Sequence, residues 1–318
     1  MENAFTAPHF QNDKAARKFV EAIRWPDGTV CPHCGTVAHA YSTKREGVYR
    51  CAEKECRKDF SVTTGTVMES SHVGLHKWLM GFYLMSASKK GMSAHQLHRS
   101  LGVTYKTAWF MAHRIREAMR AGGLEPPLGG EGKIVEADET YIWRTEKPAP
   151  RARGRIPTPT KRGRSGPADK RPIVALVERG GRVRTFHVAV ADKVTVSKIV
   201  MDNVARETRL HTDESRLYTG SDANFATHET VKHSAKEYVR GDVHTNCAEG
   251  YFSIFKRGMK GVYQHCREKH LHRYLAEFDF RYNHRTMLGY SDGERAALAV
   301  KGAEGKRLTY RQPDSANV

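Results

Sequence analysis

Four cysteines fall as Cys31-x2-Cys34-x16-Cys51-x4-Cys56. Two knuckles at that separation can bring four thiolates to the corners of a tetrahedron, which is the arrangement structural Zn2+ takes. CPHCG closes the first knuckle on Gly35, a residue suited to a tight turn. YRCAEKECRKDFSV continues past the second pair with the alternation of a short strand. Cys247 and Cys266 stand apart with no partner pattern, and buried thiols are the expectation for them. Six cysteines in 318 residues are too few for a disulfide framework. A zinc ribbon is therefore expected at 28–70. An N-terminal helix within 1–27 precedes it, with Ala15, Phe19 and Ile23 recurring at four-residue steps.

The net charge of +18 points to a polyanionic partner, DNA or RNA before an anionic membrane. No run approaches the ~18 apolar residues that span a bilayer. MENAFTAPHFQNDKAARKF carries no apolar secretory core, so a cytoplasmic chain is expected. Residues 71–122 read as helical. Ser93 can cap AHQLHRSL, Gly102 stops it, and Thr104 can cap a second helix over YKTAWFMAHRIREAM. That is either a helix-turn-helix or an ordinary helical hairpin. The charge and the zinc module favour DNA binding, with Tyr105, Lys106 and Thr107 at the start of the reading helix.

AGGLEPPLGGEG marks a boundary, and 130–290 has a different texture. KIVEADETYI reads as a strand. RPIVALVERGGRVRTFHVAVAD reads as two strands turning at Arg179-Gly180-Gly181. Between them, 143–171 is proline-rich and basic, with ten Lys/Arg from Arg144 to Arg171 against Glu146 and Asp169. A mobile basic loop is expected there. VTVSKIVMDNVARET reads as a helix, RLHTDES as a strand ending at Asp213, and later segments as helices. Residues 291–318 read as a tail. This order, mixed α/β with an antiparallel three-strand start, is that of the ribonuclease H-like fold. In that fold the first and fourth strands are neighbours.

The carboxylates sharpen the expectation. Asp138 lies in the first strand, Asp213 at the end of the fourth, and Glu249 on a later helix with Lys256 seven residues on, close to two turns. Converging carboxylates repel, and hard divalent cations relieve that repulsion. Glu136 shares the strand face of Asp138 and reads as structural, whereas Glu139 should point to the opposite face. Arg257 and Lys260 extend the basic surface near Lys256.

These residues carry a resemblance. CPHCG with YRCAEKECRKDFSVTTGTVMESS, then EADETYI, TDES, HTNCAEGYFSIFKRGMKGVYQH and KHLHRYLAEFDFRYNHR resemble the DDE transposases of bacterial insertion sequences, of the ISXO-like family. The likeness runs from about residue 15 to about 290. It implies a transposase that binds terminal inverted repeats and target DNA. It also implies Mg2+ or Mn2+, as two ions, for cleavage and strand transfer, and a homo-oligomer on DNA at the nucleoid. It implies Asp138 and Asp213 as metal ligands and Lys256 as the accompanying lysine. The third ligand is Asn246 or Glu249, three apart on one face. Glu249 is favoured because a carboxylate neutralises a dication better, and Asn246 could then orient a ligand or a water. The rival readings are a metal-dependent nuclease or resolvase of the same fold, and an inactive zinc-ribbon DNA-binding regulator.

Overall fold

The computed structural model describes residues 4–123, 125–144, 146, 170–221 and 223–309. The chain divides into two compact units, 1–121 with 284–318, and 122–283.

In the first unit, α1 (Asp13–Arg24) starts at Asn12, whose side chain accepts from the Ala15 amide. Its buried stripe is Ala16, Val20 and Arg24, one residue on from the Ala15, Phe19, Ile23 face expected from sequence. The reason is Arg24, whose guanidinium is buried to reach the Val62 carbonyl and Glu304. A small antiparallel sheet follows: β1 (Ala40–Ser42), β2 (Val48–Cys51) and β3 (Asp59–Ser61). Trp25 packs edge-on against Tyr49 and Phe60 of this sheet.

Helices α2 (Leu75–Ala87), α3 (Ala94–Leu101) and α4 (Tyr105–Met119) come next. The expected signals operate. Ser93 accepts from the Gln96 amide, Gly102 takes the left-handed conformation at φ 59°, and Thr104 accepts from the Thr107 amide. The segment expected to be a tail instead forms α8 (Asp292–Lys301), opened by a Ser291–Glu294 capping box. It packs against α2 and buries Arg295, Ala296, Ala299 and Val300. Beyond it, the Val67 amide donates to the Ala303 carbonyl, and the Gly305 amide donates to the Gly65 carbonyl. The chain thus returns to complete a core begun some 200 residues earlier.

The second unit is a five-stranded sheet in the order β6-β5-β4-β7-β8. Its strands are β4 (Ile134–Arg144), β5 (Lys170–Glu178), β6 (Val183–His187), β7 (Arg209–Asp213) and β8 (Thr227–Val231). The first three are antiparallel, and β7 and β8 are parallel to β4 and to each other. This is the ribonuclease H-like order. Sequence reading missed β8. The strands also take the ends of the expected basic loop, since Arg144 pairs with Lys170. The rest of that loop, 145 and 147–169, lies outside the described residues.

The sheet has an apolar layer on each face. Val135, Ala137, Val174 and Leu176 pack with Val196 and Val200 of α5 (Lys193–Asn203). Ile142, Ile173, Ala175 and Val177 pack with α6 (Asn246–Gly258) and α7 (Leu271–Asn283). Strand alternation therefore assigns even-numbered positions of β4 to the α6 side.

Asp279 of α7 is half-buried beside the second layer. It accepts from the Thr185 amide at 3.0 Å and from the Tyr251 hydroxyl at 2.6 Å. Burial, partly opposed by those donors, pushes its carboxyl from 3.8 up to about 7. Between those values the native chain holds a proton that the unfolded chain has released. Its contribution to stability therefore falls as pH rises from about 4 to about 7, and is flat above. At ~1.4 kcal/mol per pH unit the upper bound is roughly 4 kcal/mol. Urea unfolding across this range should show that slope in the wild type and lose it in Asp279→Asn. Equal slopes in the two would contradict the assignment.

Candidate active site

Extending the β4–β7 register (Val135↔Leu210, Glu136↔His211) by two residues sets Asp138 beside Asp213. Residues in register on neighbouring parallel strands share a face, so both lie on the α6 side. Opposite Asp138 on β5 is Ala175, too small to fill the space. Burial, then the charges of Glu139, Asp213 and Glu249, push the Asp138 carboxyl up to about 8. Three acids from β4, β7 and α6 thus act on Asp138, with Asp213 and Glu249 supplied by distant parts of the chain. Lys256 of α6 is half-buried. Its pKa is lowered by burial and by Lys260, and raised by Asp138. Asn246 is the first residue of α6, exposed on the same side as Glu249. Among the described residues, Asp138, Asp213 and Glu249 do not form a group with all ligand atoms within 4.8 Å.

Glu139 belongs to the face opposite Asp138, as the alternation requires, yet it is not remote. Its carboxylate accepts from Tyr218 OH at 2.9 Å and Ser215 Oγ at 3.3 Å. Burial and the nearby Asp213 raise its pKa. It thereby ties the segment after Asp213 to β4.

Glu136 has a different role. It is 0% exposed. Its Oε1 receives Arg179 Nη2 at 2.8 Å and Nε at 3.1 Å. Its Oε2 receives the amides of Cys247 and Ala248 at 2.7 and 3.1 Å. Thr245, the N-cap of α6, provides no side-chain cap. The carboxylate of a neighbouring strand caps the helix instead, with the dipole in its favour. Arg179 also donates to the Asp242 carbonyl and contacts His244. One buried acid therefore fixes the helix carrying Glu249 and Lys256 against the strand carrying Asp138.

In the first unit the four cysteine sulfurs lie within 4.8 Å of one another. Cys31 Sγ and Cys56 Sγ are 3.8 Å apart, and Cys34 Sγ and Cys51 Sγ 3.6 Å. Sulfurs ~2.3 Å from one zinc ion stand ~3.8 Å apart at tetrahedral corners. Hydrogen bonds from Thr36 lower Cys34 to about 6, while burial pushes Cys51 up to about 12. A dication accommodates all four as thiolates and removes that mismatch. Chelation should release one zinc per chain and abolish hydrogen-exchange protection in β1–β3, leaving β4–β8 protected. Unchanged protection after metal loss would refute a structural role.

A family model described as the ISXO2-like transposase domain matches residues 127–283, and one described as the transposase zinc-ribbon domain matches residues 11–59. A Halobacterium salinarum protein described as an uncharacterized protein in transposable element ISH50 is 33% identical over 286 residues. The match covers 86% of this chain and 91% of that protein. The chain belongs to the ISXO2-like transposase family.

Within this family member, the other residues singled out by sequence are placed as follows. Tyr105 is exposed at the start of α4 and stacks on His95, with ring centroids 4.3 Å apart. Lys106 is exposed, while the Thr107 hydroxyl lies 2.8 Å from Thr104 Oγ1 within the cap. Arg257 folds back onto its own helix, donating to the Ser253 carbonyl and Oγ at 3.1 and 3.0 Å. Lys260 is exposed beside Lys256. Cys247 and Cys266 are half-buried rather than buried. His233 was not singled out by sequence, and its Nε2 lies 4.0 Å from Glu249 Oε1. No local motif marks it, because its position depends on β8 lying beside β7. Among the described residues no helix is long and apolar enough to cross a membrane.

Proposed function

We propose that the chain is the transposase of an insertion sequence, and that it cleaves and joins DNA at the cluster of Asp138, Asp213 and Glu249. The observation that carries this reading is the register of β4 and β7, which sets two aspartates side by side under a helix whose Glu249 acts on Asp138. The donor set suits hard divalent ions, Mg2+ or Mn2+. All three groups are carboxylates, and burial together with neighbouring acids drives Asp138 toward the protonated form unless positive charge is supplied. Bound there, two ions would activate the attacking oxygen and stabilise the leaving oxygen of an in-line displacement.

The chain's own residues do the rest. Asp138 is held by the Glu139 amide, which donates to Oδ1 at 2.8 Å, leaving Oδ2 for a cation. Glu249, rather than Asn246, completes the set, since its charge is felt at Asp138. Asn246 orients a ligand or water at the helix start. Lys256 Nζ binds a non-bridging phosphate oxygen, two turns from Glu249 on the same helix. In the first unit, Tyr105, Lys106 and Thr107 meet DNA as the leading turn of a helix-turn-helix reading helix. The caps at Ser93 and Thr104 and the tight turn at Gly102 support that role. Lys260 adds phosphate contacts, and Arg257 does so once released from Ser253. Two element ends must meet for joining, so a homo-oligomer on DNA is part of the proposal.

The test is a strand-transfer assay with a pre-cut double-stranded oligonucleotide from the end of the element that encodes the chain. Metal-dependent joining to a target plasmid is the expected result. Cleavage without joining would make the protein a nuclease. DNA binding without either would make it a regulator.

A further inference from the structure

The segment between β8 and α6 presents Tyr238, 58% exposed, beside the acidic cluster. Its ring centroid lies 5.3 Å from that of His233, at 38°. His233 in turn lies 4.0 Å from Glu249. A singly exposed aromatic residue is ordinary. Three further features set this one apart.

The first is that the loop is pinned. Glu214, the residue after Asp213, accepts from the Ser234 amide at 2.8 Å and from Ser234 Oγ at 2.7 Å. The Lys232 carbonyl accepts from the amides of Ala235 and Glu237, and Arg240 Nη2 donates to the Thr230 carbonyl at 3.2 Å. The second is charge. Lys232, Lys236 and Arg240 are all exposed on the same segment, against Glu237, whose carboxylate accepts from the Lys232 amide. The third is place. Asp213 pairs with Val231, so the loop leaves the sheet at the edge where the carboxyls gather.

A flat apolar surface on a basic segment suits a flat apolar group on a polyanion. In a duplex the base faces are covered by their neighbours, whereas an unpaired nucleotide offers one. Asp138 is recessed between β5 and β7, and a strand reaches a recessed site more readily when a nucleotide beside the reacting phosphate is unstacked. We propose that Tyr238, backed by His233, stacks an unpaired base of the DNA strand whose phosphate occupies the acidic cluster. This deepens the phosphoryl-transfer reading of that cluster and rests on it.

The test uses the full chain and a duplex with a short single-stranded overhang carrying 5-iododeoxyuridine. Photo-cross-linking followed by peptide mapping should place the adduct on Tyr238. The overhang should also bind about tenfold more tightly than the same overhang made abasic. Tyr238→Ala should remove both the adduct and that advantage, while Tyr238→Trp should keep the advantage. Because the ring is exposed, the thermal melts of both variants should match the wild type. Metal-dependent nicking of a supercoiled plasmid is measured in parallel. Nicking by the wild type with adducts only at other peptides, or an unchanged base preference in Tyr238→Ala, overturns the stacking platform. An adduct at Tyr238 without any nicking supports the platform and counts against the phosphoryl-transfer reading.

Discussion

Asp138→Asn should lower DNA cleavage and joining by about a thousandfold or more, and yet raise the melting temperature of the metal-free protein by a few degrees. The activity loss follows from removing a charge that positions divalent ions, whose stabilisation of the transferring phosphoryl group amounts to several kcal/mol at ~1.4 kcal/mol per tenfold in rate. The stability gain has a different origin. Asp138 is partly buried, and burial, with the charges of Glu139, Asp213 and Glu249, pushes its carboxyl up to about 8. Asparagine keeps an acceptor for the Glu139 amide, which now donates at 2.8 Å, and removes the like-charge crowding. Added Mg2+ or Mn2+ should stabilise the wild type by linkage and leave Asp138→Asn nearly unmoved. Strand-transfer assays and thermal melts with and without metal check both halves. A variant as active as the wild type, or one that melts lower without metal, would sink the assignment of Asp138.

Glu136→Ala should be the most destabilising single change in the second unit, by about 3–5 kcal/mol. Removing one partner of a buried ion pair leaves the other uncompensated. Here the loss is compounded, because the first turn of α6 has no other side-chain cap. Arg179 would lose two charge-assisted bonds, and the amides of Cys247 and Ala248 would lose their acceptor. Glu136→Gln should cost less, since its carbonyl oxygen can still accept from the amides. Urea unfolding of the three proteins should rank them wild type, glutamine, alanine. A loss under about 1 kcal/mol for alanine would mean that water replaces the carboxylate, and that α6 is held by its apolar face alone.

These two residues show what could be read from sequence. The place of Asp138 within the first strand was legible, because KIVEADETYI reads as a strand and β4 spans Ile134–Arg144. The role of Glu136 was only half legible. Its face followed from alternation with Asp138, but its partners lie 43 residues away at Arg179 and 111 away at Cys247. Neither spacing carries a local signal. The same holds for β8, which has no strong alternation, and for α8, whose capping box is plain in SDGE but whose docking site on α2 is not. On α1 the expected stripe was one residue off because a buried arginine replaced an apolar side chain.

Sequence by itself determined the local and the periodic: the cysteine spacing, the caps at Ser93 and Thr104, the hairpin turn at Arg179-Gly180-Gly181, and the strand that ends on Asp213. Each depends on side chains within a few residues of one another, so the chain carries the information where it is used. Tertiary structure decided which distant groups share a space. It set Asp138 beside Asp213 through strand order, brought Glu249 over them through a carboxylate clip, placed His233 and Tyr238 at their edge, and returned the C-terminal helix to the first core. Those outcomes depend on which strands neighbour which and on the burial that favours one arrangement, and no spacing along the chain encodes that choice.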